Sequence, residues 1–441
     1  MTTSQPLASP TRNRPLERLA ALPAWARWPL MAALGILLLT IVQTLSGTAR
    51  LTDAGTTTAM LRWSIPILLA GLGGLFAERA GVVNIGLEGM MILGTWCSAW
   101  GALNWGPWGG LIAAIVGGGL GGLLHAIVTV QFGVDQIISG VAIILLAPAF
   151  ARFMSERVFS GEAGGSISQS PRVEGLPDIS LPFVAGGQIG DWKSPNLFAT
   201  IANADIPWIS DIASVLLGLT SGMSLFTLLA LLCVPLSAWV LLRTRFGLRL
   251  RICGENPTAG ETLGVNIYLH KYLGVVISGA LAGLAGGFIV LELTGIYRGG
   301  QTTGRGFIGL AALIFGNWKA IGVLLGSLLF GYPFGLSLVD FESSAGGGTT
   351  SGVATRSLLL VIAISLAALG VWAWRADRKV DTGLAAILAA IALIWYLATD
   401  TAPAWLPGTM PYVLVLIVLV FGAQKLRPPV AAGKPFRHGD H

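Results

Sequence analysis

The sequence contains little charge, little cysteine and little histidine. Only 11% of its 441 residues are Asp, Glu, Lys or Arg, against about 25% in soluble domains. This composition excludes an ordinary soluble protein. The three cysteines, Cys97, Cys233 and Cys253, are too few and too scattered for a disulfide framework or a metal cluster. The sequence also lacks the phosphate-binding motif G-x-x-x-x-G-K-[ST].

Groupings typical of catalysis are missing too. His125 and His270 have no nucleophile and no second metal ligand at a suitable spacing. A membrane-embedded enzyme would need several convergent polar residues facing one side, and the apolar stretches do not offer them. We therefore expect no enzymatic activity, no metal site and no cofactor.

Apolar residues dominate the chain, at 54% of the sequence, and 60 residues are glycine. Twelve apolar runs approach the ~20 residues that cross a bilayer as a helix. They cover about 28–46, 59–77, 88–104, 110–129, 136–155, 220–242, 271–293, 305–318, 320–339, 357–374, 383–399 and 410–424. The pattern predicts an all-α, polytopic transmembrane bundle of about ten to twelve spans.

Basic residues predict the orientation of this bundle, because they mark cytoplasmic loops. The arginines within 243–251 and most other basic residues share one side when the N-terminus is cytoplasmic, which places both termini in the cytoplasm. The formal charge of +6 is therefore no indication of nucleic acid binding. We expect residues 1–25 to be a disordered cytoplasmic tail. The polar segment 156–218 is expected to be an extracytoplasmic loop, either solvated or in contact with an external partner.

Two polar residues interrupt the apolar stretch GVVNIGLEGMMILG, residues 81–94. An ionised carboxylate at membrane depth costs ~2.5–3.5 kcal/mol, so Glu88 should face a cavity or a partner. In one interpretation 78–89 is broken backbone at the mouth of a pathway, with Glu78, Asn84 and Glu88 capping helix ends or lining it. In the other, Glu88 stabilises the N-terminus of the helix that follows it. On a continuous helix Asn84 and Glu88 would share a face.

Two further patterns concern helix packing. The segments VNIGLEGMMILGTW (83–96) and GFIGLAALIFGNW (306–318) share IGL, an apolar stretch and G-x-W, and they run in opposite directions in the predicted topology. Such inverted repeats place a pathway at their interface, and 305–318 is short enough for a half-helix. Gly279, Gly283 and Gly287 lie four residues apart, which predicts a close helix crossing.

The cytoplasmic loop 243–271 contains the pattern of a short helix, ENPTAGETLGV. Asn256 suits the N-cap, Pro257 the first turn and Gly264 the end of that helix. A short helix that projects from a membrane bundle indicates a docking site for a cytoplasmic protein. Because the chain has no motor motif of its own, we expect that protein to be the motor.

Five ordered motifs resemble the permease subunits of bacterial ABC importers for nucleosides and simple sugars, above all the basic membrane protein-type nucleoside branch. This branch is related to the ribose and branched-chain amino acid permeases. The motifs are FAERAGVVNIGLEGMMILG, VDQIISGVAIILLA, RFGLRLRICGENPTAGETLGVNI, SGALAGLAGG and GRGFIGLAALIFGNWKAIGVLLGSLLFG. The resemblance covers about 55–155 and 225–340 and returns in the C-terminal TMPYVLVLIVLVFGAQKLRPPVAAGKPF.

The resemblance implies an inverted-repeat ABC importer permease in the bacterial cell membrane, in contact with lipid. It would pair with a second homologous permease and work with a cytoplasmic ATP-binding subunit and an extracytoplasmic substrate-binding lipoprotein. The segment 253–266 would couple to the ATPase, through Glu255, Asn256, Pro257, Gly264 and Asn266. The residues expected in the translocation path are Glu78, Asn84, Glu88, Trp96, Asp135 and Asn317.

The expected domain order is a permease core over 26–340, an extra transmembrane pair with flanking loops over 341–408, and a last helix with a cytoplasmic tail over 409–441. The added apolar pair, 357–399, departs from the family form and is expected to be peripheral. The resemblance implies nucleosides as substrates, for which Trp63, Trp96, Asn84 or Asn317 could provide stacking and amide contacts. The alternatives are simple sugars such as ribose or galactose and, less favoured, an ion-coupled secondary transporter, for which Glu88 and Asp135 offer few ligands.

Overall fold

The computed structural model of the chain is an α-helical bundle with four two-residue strands. It describes residues 24–48, 50–179, 186–189, 192–204, 206, 208–345, 353–375, 379–401, 403, 406–422 and 426–437. The predicted tail 1–25 therefore lies outside the described residues except for its last two.

The helices follow the apolar runs. They are α1 (Ala24–Ser46), α2 (Ala54–Arg79), α3 (Leu87–Ala126), α4 (Gln136–Val158), α5 (Leu197–Ala202), α6 (Ile209–Thr220), α7 (Leu225–Arg243), α8 (Arg245–Glu255), α9 (Pro257–Thr262), α10 (Ile267–Phe288), α11 (Arg305–Phe315), α12 (Ala320–Ala345), α13 (Val353–Arg375), α14 (Lys379–Ala398) and α15 (Leu406–Gly422). Strands β1 (Asp178–Ile179) and β4 (Met223–Ser224) pair antiparallel, as do β2 (Gln188–Ile189) and β3 (Trp192–Lys193).

Each of the twelve predicted apolar runs overlaps one of these helices, which confirms the all-α bundle. Among the described residues, eight helices are long and apolar enough to cross a membrane. Three apolar helices are shorter, namely α6, α11 and residues 32–46 of α1. The half-helix predicted for 305–318 corresponds to α11, which has 11 residues.

Helix α3 is a hairpin of two antiparallel arms, 87–105 and 107–126. The reversal occurs at Gly106, whose φ of 73° and ψ of −176° leave the helical region. A side chain strains such a positive φ, so glycine is needed at this turn. The arms pack closely, because a Cβ at Gly101 would lie 2.7 Å from the carbonyl oxygen of Gly109. The runs 88–104 and 110–129 thus form two crossings within one helical element.

A close crossing in the core joins α10 to the second arm of α3. A Cβ at Gly118 would lie 2.3 Å from the Gly279 carbonyl oxygen, and one at Gly283 would lie 2.2 Å from the Ala114 carbonyl oxygen. The predicted glycine face is confirmed, and the order of these contacts makes the two helices antiparallel. Both continue into a π-helical turn, Ile127–Gln131 and Ile289–Thr294. The inverted repeat predicted for 83–96 and 306–318 concerns other segments and stays a prediction.

The segment 156–218 contains anchoring contacts as well as exposed residues. The Val173 N–H donates to the Gly295 carbonyl at 2.8 Å, and the Val173 side chain is only 7% exposed. Helix α6 also begins in this segment, and its Asp211 carboxylate accepts hydrogen bonds from Thr40 and Thr52. Most other described residues of the segment are exposed or half-buried, and its assignment as an extracytoplasmic loop stays a prediction.

The added helices α13 and α14 lie at the edge of the bundle. Helix α13 contacts α12 and α1, and α14 packs mainly against α13. Only 11% of the most apolar stretch of α14 is buried. Its remaining apolar surface is therefore suited to lipid.

Candidate functional site

A break in the helical backbone separates α2 from α3. Residues 80–86 are not helical, and Gly81 has a φ of 82°. A Cβ on Gly81 would also lie 2.9 Å from the carbonyl oxygen of Cys253 in α8. Both the backbone angle and the available room therefore require glycine at this position. We refer to residues 80–86 as the broken segment.

Asn84 lies in the broken segment and not on a helix. The expectation that it shares a helix face with Glu88 is wrong, because α3 begins only at Leu87. The Asn84 side chain is fully buried, and its Nδ2 donates to Ser278 Oγ at 2.9 Å. Ser278 lies roughly 16 Å along α10 from the start of that helix at Ile267. Asn84 therefore lies beside the middle of the apolar stretch Ile267–Thr294, which is long enough to cross a membrane.

Side chains of α3 and α4 satisfy the backbone of the broken segment. The Val83 N–H donates to Gln136 Oε1 at 2.6 Å. The Val83 carbonyl accepts from His125 Nε2 at 3.3 Å, and Ser139 Oγ lies 2.9 Å from His125 Nδ1. Non-helical backbone at membrane depth needs such partners, since lipid supplies none. His125 thus has a positioning role that the sequence alone does not reveal.

Glu88 caps a helix that is distant in the sequence. Its carboxylate accepts the Thr302 hydroxyl at 2.6 Å, the Gly304 N–H at 2.9 Å and the Gly306 N–H at 2.7 Å. These donors form the N-terminus of α11, where the helix dipole favours a negative charge. Our second interpretation of Glu88 expected it to stabilise the helix that follows it, whereas its partners belong to α11. Glu88 is 6% exposed, so this cap is buried.

Arg305 stands beside this cap and was not among the predicted site residues. It is 5% exposed, and its guanidinium donates to the Gln301 and Thr302 carbonyls at 2.8 and 3.1 Å. The guanidinium carbon lies 4.5 Å from the Trp63 ring centroid and 5.2 Å from that of Phe334. One signal was present in the sequence, since Arg305 does not fit the charge pattern that fixes the orientation. Trp63 therefore stacks on Arg305 and Phe334 inside the chain.

The short helix predicted in the cytoplasmic loop is confirmed as α9. Asn256 is its N-cap and accepts the Ala259 N–H at 3.0 Å, and Pro257 occupies its first turn. Gly264 follows the helix with a φ of 76°. Asn266 caps the next helix, α10, by accepting the Leu269 N–H at 2.9 Å. We call residues 253–266 the coupling segment and this end of the bundle the coupling face.

Ionic and polar contacts join the coupling segment to the end of α2. Arg79 Nη1 lies 3.7 Å from Glu255 Oε1, and the Glu255 side chain is 50% exposed. Arg79 Nη2 donates to the Trp318 carbonyl at 2.7 Å, and Trp318 Nε1 donates to Glu78 Oε2 at 2.5 Å. Arg79 directly precedes the broken segment. The coupling segment, the turn after α11 and the broken segment therefore meet at one place.

The six residues predicted for the translocation path do not all come together. Asn84 and Glu88 lie at middle depth, whereas Glu78 and Asn317 lie at the coupling face. Trp96 is a core residue that donates to Ser155 Oγ at 3.1 Å. Asp135 is exposed and caps α4 by accepting the N–H groups of Ile137 and Ile138.

The C-terminal residues 426–437 lie across the coupling face, and we call them the strap. The Arg427 N–H donates to Asn317 Oδ1 at 2.8 Å, and the Ala431 N–H donates to the Gly254 carbonyl at 2.8 Å. A cavity of about 370 Å³ opens between the strap and the coupling segment. It is lined by Glu255, Asn256, Pro257, Thr258, Val430, Ala431, Lys434, Pro435, Phe436 and Arg437.

Comparisons with known proteins give one family. Residues 56–344 match the family described as "Branched-chain amino acid transport system / permease component". The chain is 36% identical to the nucleoside ABC transporter permease protein NupC of Lactococcus lactis subsp. cremoris, over 64% of this chain and 81% of NupC. It is 37% identical to the guanosine ABC transporter permease protein NupQ of Bacillus subtilis, over the same shares of 64% and 81%.

A third relative has a different substrate in its name. The putative glucose ABC transporter permease protein TsgC13 of Haloferax volcanii is 31% identical, over 65% of this chain and 77% of TsgC13. No solved structure gives a significant match to the chain.

Proposed function

The chain belongs to the family of permease components of the branched-chain amino acid transport system type, and on this premise we propose that it is the membrane permease of an ATP-binding cassette importer for nucleosides. One observation carries the proposal. Glu255, directly before the N-cap of α9, pairs with Arg79, which directly precedes the broken segment. An ATP-driven partner bound at the coupling face would therefore act directly on the region around Asn84 and Glu88.

The proposed pathway passes the place where two helix N-termini meet. Helix α3 begins next to Glu88, and α11 begins at the N–H groups of Gly304 and Gly306, which donate hydrogen bonds to Glu88. Helices that break at middle depth present polar backbone and side chains where lipid-facing helices cannot. ATP binding and substrate delivery would favour different arrangements of this region, as alternating access requires.

Three protein partners complete the proposed importer. A cytoplasmic ATP-binding subunit would bind at the coupling face, across the opening of the cavity between the coupling segment and the strap. A second homologous permease would form the other half of the pathway, and an extracytoplasmic lipoprotein would deliver the substrate. The strap lies on the same face as the coupling segment, in agreement with a cytoplasmic C-terminus in a bacterial cell membrane.

Nucleosides are the proposed substrates because the two relatives at 36–37% identity carry nucleoside and guanosine in their names. The glucose name of a relative at 31% identity favours sugars less. The test is uptake of labelled guanosine into vesicles that hold this chain with its partner proteins. Excess adenosine should compete, whereas excess ribose or glucose should not. Competition by a sugar but not by adenosine would contradict the assignment of nucleosides as substrates and would leave the assignment as an importer unchanged.

Glu255 offers a test of coupling. We expect Glu255→Lys to reduce uptake at least tenfold in a folded complex that still hydrolyses ATP, because the new charge lies beside Arg79 at the proposed contact with the ATPase. The matched control is Glu156→Lys, which makes the same charge change at the exposed far end of α4. Uptake by Glu255→Lys at the level of this control would remove Glu255 from the coupling role.

A further inference from the structure

We propose that the strap, residues 426–437, is a positioning element that carries movement of the coupling segment to the broken segment. This inference rests on the proposed function, because it assumes that a partner at the coupling face drives the change. It assigns a role to the C-terminal tail, which would otherwise be a linker that merely follows the last helix.

The strap is bonded to the coupling segment by its backbone. The Ala431 N–H donates to the Gly254 carbonyl at 2.8 Å, at the junction of α8 and the coupling segment. A second bond, from the Arg427 N–H to Asn317 Oδ1 at 2.8 Å, ties the start of the strap to the turn after α11. A shift of the coupling segment would therefore move the strap with it.

The strap also lies beside the broken segment. Val82 and the strap residues Lys434, Pro435 and Phe436 line one narrow cleft. A Cβ added at Gly81 would lie 2.9 Å from the Cys253 carbonyl oxygen and 3.5 Å from the Ala431 carbonyl oxygen. Residues 81–83 are thus next to both the coupling segment and the strap. Asn84 follows directly, with its buried bond to Ser278.

Phe436 anchors the far end of the strap on α10. Its ring packs edge-on against Tyr268 at a centroid distance of 5.9 Å, and Lys271 Nζ lies 5.8 Å from its centroid. Lys271 is 3% exposed, so the cation is held against this ring inside the protein. Without the ring the strap would remain attached at Arg427 and Ala431 and through the bond from the Tyr268 hydroxyl to the Phe436 carbonyl at 3.5 Å. Its end would lose the packing on α10 that fixes its position beside residues 81–83.

The cavity gives the strap access to the partner. Glu255, Asn256, Pro257 and Thr258 form one wall, and strap residues from Val430 to Arg437 form the other. A protein that enters this cavity contacts both walls. The geometry therefore makes the strap a second route, beside Glu255 and Arg79, from the partner to the broken segment.

The test uses the complete complex in vesicles and follows movement as well as transport. A Val83→Cys reporter is introduced, and its rate of maleimide labelling is measured with and without ATP, above the signal of the unmodified chain. We expect ATP to change the labelling rate at least threefold when the strap is intact. Phe436→Ala should reduce this ATP effect to less than 1.5-fold and lower uptake at least fivefold. Phe436→Tyr, which keeps the ring, should preserve both.

Co-purification of the ATPase and the apparent melting temperature show whether Phe436→Ala still assembles and folds. If Phe436→Ala fails either check, Lys271→Met replaces it as the variant, since it removes the cation from the ring and keeps an apolar stem. An ATP effect that persists in the assembled variant overturns the strap proposal and leaves the proposed function intact. Absence of an ATP effect on labelling in an intact complex that still takes up guanosine with ATP also overturns the strap proposal alone. Absence of an ATP effect on both labelling and uptake in the intact complex overturns the proposed function together with this inference.

Discussion

The buried cap on α11 predicts that Glu88 is a major determinant of stability. Glu88→Ala removes the acceptor of three hydrogen bonds, at 2.6, 2.7 and 2.9 Å, and leaves two backbone N–H groups unpaired. A hydrogen bond to a charged group contributes about 1.5–3 kcal/mol, and contributions within one network do not add fully. We expect Glu88→Ala to destabilise the folded chain by about 3–5 kcal/mol, as is typical when one partner of a buried charged contact is removed.

The isosteric variant separates charge from size. Glu88→Gln keeps one oxygen acceptor but turns an NH₂ group toward a donor, so we expect a smaller loss of about 1–3 kcal/mol. The start of α11 cannot move closer to residue 88 to compensate, because a Cβ on Gly306 would already lie 2.7 Å from the Glu88 backbone. The ranking of stability should therefore be wild type, Gln, Ala.

The assay is thermal unfolding of the purified chain in detergent, followed as loss of the monodisperse peak in size-exclusion chromatography. Asp135→Ala is the matched control, because it also removes a carboxylate from a helix N-cap but at an exposed position. An exposed cap contributes about 1 kcal/mol. If Glu88→Ala lowers the unfolding temperature no more than Asp135→Ala does, the buried cap does not stabilise α11 and the reasoning is refuted.

Three further predictions concern packing and accessibility. Gly283→Val should prevent folding, because its Cβ would lie 2.2 Å from a carbonyl oxygen of α3. Gly119→Ala, whose Cβ would lie 3.8 Å from its nearest neighbour, should give a normal yield of folded protein in size-exclusion chromatography. Equal yields from both variants would contradict the close packing of α10 on α3. Deletion of 357–399 should leave measurable uptake, and complete loss in an inserted protein would show that the added pair belongs to the pathway or to an interface. Burial raises the pKa of Cys253 to about 11, so its thiol stays protonated at pH 7.5 and at pH 9. Maleimide should therefore label Cys253 only after denaturation. Rapid labelling of the folded protein would contradict the burial of this thiol.

Local patterns in the sequence were sufficient for the helices and their caps. The twelve apolar runs correspond to helices because membrane helices need long apolar stretches, whatever their neighbours. The caps at Asn256 and Gly264 are likewise decided within a few residues. The glycine face on α10 was predictable because its spacing of four is a property of one helix.

Long-range contacts were not predictable in the same way. The partners of Glu88 are Thr302 and the N–H groups that follow it, more than two hundred residues away. The sequence showed that Glu88 needed a partner but could not identify it. The same limit applies to 156–218, where the bond between Val173 and Gly295 joins residues far apart in the sequence. The strap belongs to this class too, since its bonds to Gly254 and Asn317 distinguish it from an ordinary tail.

The reversal at Gly106 is an intermediate case. The glycine and the proline that follows it lie between two of the predicted apolar runs. The tight pairing of the two arms depends on the small residues Gly101 and Gly109. Asn84 illustrates the opposite situation. Helical spacing alone suggested a shared face with Glu88, and the non-helical backbone of the broken segment removed that relation.

Whether ATP hydrolysis drives transport through this permease can be measured directly. Vesicles that hold the complete complex are supplied with labelled guanosine and with ATP, a non-hydrolysable ATP analogue, or an imposed proton or sodium gradient. We expect guanosine uptake against a concentration gradient with ATP alone. We expect no such uptake with the analogue or with either ion gradient. Uptake that an ion gradient drives without ATP would contradict this expectation.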